Sequence, residues 1–359
     1  MSQTLFTAIQ KSGGDFNSRI VMAPMTRCRA LGNVPNDLMA EYYGQRATAG
    51  LIITEGTSPS PNGIGYARIP GIYSQAQVEG WKKTTGAVHQ KGGKIFLQLM
   101  HTGRVSHSAN MPVGAKLIAP SAISADADMW TDTQGMQKTE LPEAMTGTDV
   151  QATIEEYVQA AKNAIAAGFD GVEIHSANGY LPNQFLNPGA NTRTDNYGGS
   201  IENRSHFVLE ITEKIAAAIG AHKTGIRFSP YNPYNGMPHD ADTFATFDYL
   251  STELNKLGIL HIHLLDAAAR ASKEGLKLIA KIRENFNGIY ILNAGYDKER
   301  AAYSLDTERA DMIAFGSKFI SNPDLPYRFK NDKELAAPNP GTFYTGDLAG
   351  YTDYPAYAN

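Results

Sequence analysis

Residues 171–182 read GVEIHSANGYLP. Gly171 to Ile174 form a short apolar run of strand length, and the positions after it carry an imidazole (His175), an amide (Asn178) and a phenol (Tyr180). If the run is a strand, the three groups leave its C-terminal end together and can converge on one small molecule. The segment beyond reads as a loop, through Asn183, Pro188 and Asn191 to the turn Tyr197-Gly198-Gly199. Loops at strand ends are where rigid scaffolds carry chemistry.

Apolar runs of the same kind recur on both sides: Ile20 to Thr26, Leu51 to Gly56, Lys94 to His101, Thr224 to Pro230, Ile259 to Asp266, Gly288 to Gly295 and Asp311 to Gly316. After the eight runs come patterns with the i, i+3, i+4 spacing of helices: 36–49, 75–90, 149–167, 201–219, 242–257, 273–285, 298–305 and a short one near 322–330. Strands buried on both faces, each followed by a helix, call for a parallel sheet. With eight units a closed α/β barrel, the (β/α)8 TIM barrel, is the economical solution, because closure removes both sheet edges and right-handed crossovers put every helix outside. A doubly wound open sheet would carry a glycine-rich phosphate turn after its first strand, where this chain has Ala23-Pro24-Met25-Thr26. Residues 103–148 lack a sustained period and read as an excursion over the barrel mouth after the third strand, of the kind that forms lids. From Pro338 the tail is rich in Gly, Pro and Tyr and reads as an ordered segment against the barrel. With no linker in view, residues 1–359 are expected to form one domain.

Composition limits the function. A hydrophobic content of 42% supports a substantial core, and a formal charge of -4 without basic or acidic blocks gives no case for nucleic acid or an anionic membrane. No apolar run approaches the ~20 residues of a spanning helix, and the start lacks a secretion signal, so a cytoplasmic monomer or homodimer is expected. One cysteine, Cys28, excludes an intramolecular disulfide and a self-contained iron-sulfur cluster, so redox chemistry would need an organic cofactor.

In barrels the reactive groups gather at the C-terminal strand ends. Those ends are poor in paired carboxylates, which removes the usual instruments of glycoside hydrolysis, and no Ser-His-Asp set is evident. His175, His101, His261 and His263 form no compact cluster, so hydrogen-bonding histidines are preferred to a metal site. The last two ends, Ala294-Gly295 and Gly316-Ser317-Lys318, offer small residues where backbone N–H groups can approach an anion, although each glycine could equally end a strand. Arg227, a permanent cation inside the fifth run, needs a partner in the mouth: a polar cofactor, or an ion pair with Glu55 or Glu173.

At this density of features the chain resembles the Old Yellow Enzyme family of FMN-dependent ene reductases, in the classical branch that includes the pentaerythritol tetranitrate and morphinone reductases. The matching segments span the chain: VMAPMTRCRA from Val21, LIITEG from Leu51, GIGYARIPGIY from Gly63, LQLMHTGR from Leu97, GFDGVEIHSANGYLPNQFL from Gly168, RTDNYGGSIENR from Arg193, ISNPDLP from Ile320 and GYTDYP from Gly350. The resemblance implies FMN, reduced by NADPH or NADH, with NADPH favoured only by family habit. It also implies reduction of the C=C bond of α,β-unsaturated carbonyl or nitro compounds, and of nitroesters as a further substrate class. By it, Thr26, Gln98 and Arg227 hold the flavin edge, Pro24, Met25 and Gly56 add backbone contacts, and Ala294, Gly295, Gly316 and Ser317 hold the phosphate. His175 and Asn178 polarise the substrate oxygen, flavin N5 supplies hydride, and Tyr180 supplies the proton. Tyr66, Met100 and Tyr351 are expected to flank the substrate.

Two departures stand out. Met100 takes a place where many members have tryptophan, which predicts a pocket of different shape. Ser317 takes the place of a phosphate-binding arginine, leaving Lys318, Arg227 or backbone amides to serve. Two other functions share this outline: a barrel lyase or isomerase acting on a phosphorylated substrate, and a flavin-binding protein without turnover.

Overall fold

The run that opens the sequence argument is Gly171–Ser176, the fourth of eight parallel strands in a closed barrel. A computed structural model describes residues 3–357. In chain order the strands are β1 (Ile20–Met22), β2 (Leu51–Ile53), β3 (Ile95–Leu99), β4 (Gly171–Ser176), β5 (Thr224–Phe228), β6 (His261–Leu265), β7 (Ile289–Asn293) and β8 (Met312–Phe315). Each pairs with its chain neighbour, and β8 pairs with β1 to close the ring. The helices outside are α1 (Asp37–Gln45), α2 (Gln75–His89), α3 (Gly147–Ala166), α4 (Ile201–Ile219), α5 (Thr243–Leu257), α6 (Lys273–Asn285), α7 (Lys298–Asp306) and α8 (Leu325–Lys330). Their starts are written in the sequence: Ser74 with Gln77 and Thr146 with Asp149 form capping boxes at α2 and α3.

The period-two alternation of a strand sorts the side chains into two sets. Val172, Ile174, Ile226, Ile262 and Leu264 point outward into the continuous core beneath the helices. Inside, the lower layer is apolar: Val21, Leu51, Phe96, Ile289, Ile291 and Met312 pack on Ile9 and Phe16. The last two belong to an N-terminal hairpin, Ile9–Lys11 against Gly14–Phe16, turned through Ser12 and Gly13 with positive φ. The upper interior layer is polar. Register places Glu173 beside Gln98, His175 beside Arg227, and Arg227 beside His263.

Two additions shape the mouth. Between β3 and α3 the excursion folds into a hairpin, Asp128–Thr131 with Gly135–Lys138, and a short pair, Ile118–Ala119 with Glu143–Ala144. The tail is held by two buried arginines that follow β1. Arg27 donates to the carbonyls of Phe343 and Gly350 at 3.1 and 2.8 Å. Arg29 donates to those of Phe343, Thr342, Ala349 and Asp347.

That clamp corrects one expectation. Tyr351 is fully buried and stacks on Tyr42, ring centres 4.0 Å apart, with the guanidiniums of Arg27 and Arg29 5.1 and 4.6 Å from its ring. It anchors the tail and does not line the substrate cavity, because a ring enclosed by another aromatic and two cations has no face left for a ligand.

Candidate active site

A cavity of about 800 Å³ opens at the C-terminal ends of the strands. Pro24, Thr26, Gly56, Tyr66, Gln98, Met100, His175, Asn178, Tyr180 and Arg227 all line it, so ten of the residues singled out in the sequence meet in one place. A second cavity, of about 210 Å³, lies past the ends of β7 and β8 and takes in Ala294, Gly295, Gly316 and Ser317. Met25 lies beside it: a Cβ built on Gly316 would come within 3.6 Å of the Met25 sulfur. Of the earlier site candidates, Met25 and Tyr351 line neither.

The donors at the top are fixed by their neighbours. His175 is buried, and its Nδ1 accepts the backbone N–H of Ala177 at 3.3 Å. That bond assigns the proton to Nε2, so the ring has a donor to offer a ligand. Burial, reinforced by the Arg227 charge, holds the imidazole well below its ordinary pKa, and it is neutral at physiological pH. Asn178 sits at φ 58, its N–H on Ser229 Oγ at 2.8 Å and its carbonyl on Asn235 Nδ2 at 2.8 Å. Its Oδ1 accepts from Asn232 Nδ2 at 3.0 Å, and among the described residues its amide NH₂ makes no hydrogen bond. Tyr180 donates to the Tyr66 hydroxyl at 3.1 Å, and its ring meets the His175 ring edge-on, centres 4.7 Å apart. Burial and the neighbouring phenols keep Tyr180 protonated, well above the usual tyrosine range.

Beneath them lies a charged network in the barrel interior. Gln98 Nε2 donates to Glu173 Oε1 at 2.8 Å, while Glu173 Oε2 faces His261 Nε2 at 3.0 Å and His263 Nδ1 at 2.9 Å. Arg227 donates through Nη2 to Asn293 Oδ1 at 2.8 Å, but its buried Nε has no partner among the described residues. Glu173 is thus a charge neighbour of Arg227, as one sequence alternative allowed, yet its oxygens are taken by Gln98 and the histidines. An Arg227 guanidinium with an orphaned N–H, a Gln98 side chain held from below and Thr26 all belong to the wall of one cavity. Such a wall suits the polar edge of a flat heteroaromatic ring, and the small cavity beyond β7 and β8 suits an anion attached to it. Gly56 leaves the room that Met100 takes: a Cβ there would stand 2.4 Å from the Met100 sulfur. Met100 itself is buried against Ile64, Ile69, Met129 and Tyr180, so it fills core space as well as lining the cavity.

Other lining residues were not foreseen. Tyr344 and Thr345 come from the tail, Trp130 and Met136 from the hairpin of the excursion, and Tyr234 from the loop after β5. Arg68 joins tail and hairpin, donating to the Tyr344 carbonyl at 2.8 Å and pairing with Asp132. The tyrosine-rich tail signalled that a phenol would come from this segment, but only the Arg27 and Arg29 clamp decides that Tyr344 faces the mouth and Tyr351 the core.

The buried histidines make stability acid-sensitive. Burial lowers His101 to about 3 and His263 to about 4, against 6.5 for the free side chain, and depresses His175 as well. Below pH 6.5 the unfolded chain takes up protons that the folded chain refuses, so each residue removes about 1.4 kcal/mol per pH unit as pH falls towards its folded value. Glu55, raised by burial to about 7, opposes this above pH 4.5, where its ionisation favours the unfolded chain, but it offsets only one of the three. The urea midpoint should therefore fall between pH 6.5 and pH 5; a midpoint that stays level would contradict the neutral assignment of these rings.

With that geometry in hand, residues 4–336 match the model of the NADH:flavin oxidoreductase / NADH oxidase family. Among curated proteins, 12-oxophytodienoate reductase 1 of Oryza sativa subsp. japonica is 43% identical over 358 residues, covering 98% of this chain and 92% of the relative. A chanoclavine-I aldehyde reductase of Penicillium roqueforti is 42% identical over 366 residues, covering 98% and 95%. Among solved structures, morphinone reductase in complex with tetrahydroNAD superposes with a TM-score of 0.95 at 43% identity, covering 100% of this chain and 99% of the other.

Proposed function

The chain belongs to the NADH:flavin oxidoreductase / NADH oxidase family, as an FMN-dependent ene reductase of the Old Yellow Enzyme type, and on that premise we propose how its residues divide the work. It is an oxidoreductase that reduces activated C=C bonds, with a nicotinamide as hydride donor. Bound FMN supplies the capacity to accept a hydride from the nicotinamide and pass it to the alkene β-carbon. Thr26, Gln98 and Arg227 would hold its polar edge, and Ala294, Gly295, Gly316 and Ser317 its phosphate.

The observation that carries this division is the pair of fixed donors, His175 Nε2 and the Asn178 amide, on one cavity with the protonated Tyr180. The two donors grip the carbonyl or nitro oxygen of the substrate and stabilise the negative charge that grows there as the β-carbon is attacked. Neither must give up a proton to do so. Tyr180 donates its proton to the α-carbon, and the Tyr66 hydroxyl beside it can share the charge left behind. Arg227 would place its permanent positive charge against the polar edge of the bound flavin, where it would favour acceptance of a hydride. The Glu173 carboxylate, with its three hydrogen-bond partners, holds Gln98 in one orientation. Met129, Trp130, Tyr234 and Tyr344 give the entrance an apolar and aromatic lining, suited to a hydrophobic body attached to the activated alkene.

Among the described residues no helix is long and apolar enough to cross a membrane, and small molecules are the partners this site accommodates. The test is a visible spectrum of the purified protein taken before and after anaerobic NADH or NADPH, and again after cyclohexenone. Yellow colour, bleaching and recovery are expected. Bleaching without recovery on any cyclic or open-chain enone would defeat the assigned roles of His175, Asn178 and Tyr180.

A further inference from the structure

We propose that Arg270, on the loop after β6, is the cation that binds the FMN phosphate. The small cavity between Asn293–Tyr296 and Ala314–Lys318 is the place for that group, and Ser317, which is exposed, brings no charge to it. Gly295 has φ +69, a conformation that side chains avoid, and the space a Cβ would take is open except for one atom: Arg270 Nη2, 3.9 Å away. The guanidinium therefore stands beside the cavity, next to the Gly295 backbone and just outside the residues that line it. It is also held still. Its Nε lies 3.0 Å from Asp266 Oδ2, its Nη2 donates to the Ala294 carbonyl, and its carbon lies 5.4 Å from the centre of the Tyr296 ring. The Tyr296 hydroxyl in turn donates to Asp266 at 2.7 Å. The guanidinium is thus held by one ion pair and one carbonyl, while its Nε and Nη1 make no hydrogen bond among the described residues. A planar cation with a spare edge, fixed before the ligand arrives, is matched to phosphate oxygens in a way a mobile ammonium is not. Lys318, which lines the cavity, is the rival: a point charge on a flexible stem.

The inference rests on FMN as cofactor, and its test compares two flavins that differ only in the phosphate. Apoprotein is titrated with FMN and with riboflavin, following flavin fluorescence, for the wild type and for Arg270→Gln, Arg270→Lys and Lys318→Gln. Loss of charge-assisted hydrogen bonds to phosphate should weaken FMN binding by roughly ten- to hundred-fold in Arg270→Gln. Riboflavin binding should stay as in the wild type, and Arg270→Lys should fall between. Unchanged FMN affinity in Arg270→Gln would overturn the proposal. So would an equal loss for both flavins, which would make Arg270 a brace for Asp266 and Ala294 only, or a selective loss confined to Lys318→Gln. A wild type that binds neither flavin would instead defeat the cofactor assignment. Retained riboflavin binding also reports that the variant has folded.

Discussion

Replacing Tyr180 with phenylalanine should slow reoxidation of the reduced enzyme by cyclohexenone by roughly 10²- to 10⁴-fold, the range for losing a positioned acid, and leave its reduction by nicotinamide unchanged. The two half-reactions separate because only the second consumes a proton at carbon. Tyr180 is suited to it by what surrounds the hydroxyl: burial keeps it protonated, and it donates to the Tyr66 hydroxyl at 3.1 Å. Phenylalanine keeps the edge-on contact with His175, so packing is retained while the proton is lost. Stopped-flow traces of the flavin's visible absorbance would read both halves. Equal rates of reoxidation in Tyr180→Phe and wild type would transfer the proton donor to water or to another group. Tyr66→Phe should have a much smaller effect, because it removes a hydrogen-bond partner and leaves the acid in place.

The second large effect is expected at His175 and Asn178. His175→Ala or Asn178→Ala removes one of two donors aimed at a single oxygen, and each should lower kcat/KM for an enone by roughly 10²- to 10³-fold, the usual cost of one oxyanion donor. The double variant should lose less than the product of the two, since both groups serve the same developing charge. Both half-reactions should suffer if the nicotinamide amide uses the same pair. The pH profile distinguishes chemistry from simple folding damage. Because the wild-type imidazole is held well below its ordinary pKa, enone reduction should show no inflection near pH 6.5. A bell limb there, lost in His175→Ala, would mean that His175 works as a cation.

The excursion and the tail show where sequence reasoning meets its limit. Residues 103–148 were legible as a non-periodic insertion after the third strand, but their hairpin, and the delivery of Trp130 and Met136 to the cavity rim, depend on contacts with the tail through Arg68. The N-terminal hairpin at Ile9–Phe16 escaped notice because three-residue strands carry too little period to be distinguished from loop. Tyr351 shows the same limit in one residue. Its string fits an aromatic lining, yet a neighbouring tyrosine and two arginines enclose it, and Tyr344, seven residues earlier, reaches the mouth.

By itself the sequence determined the eight-fold alternation of apolar runs and helical patterns, and with it the barrel and the strand ends on which chemistry stands. It did so because strand and helix periods are local, and because burial on both faces leaves few ways to satisfy a parallel sheet. It also named the polar groups on the strands or just past their ends, Gln98, His175, Asn178 and Arg227, but not Arg68, Asp128, Asp132, Tyr234, Tyr344 and Thr345, which the excursion, the loops and the tail deliver. Tertiary structure decided the rest: the tautomer of His175, the orientation of Asn178, the neutral state of the buried rings, and the choice of Tyr344 over Tyr351. Each of these is set by partners distant in the chain, through hydrogen bonds and desolvation that no local pattern records.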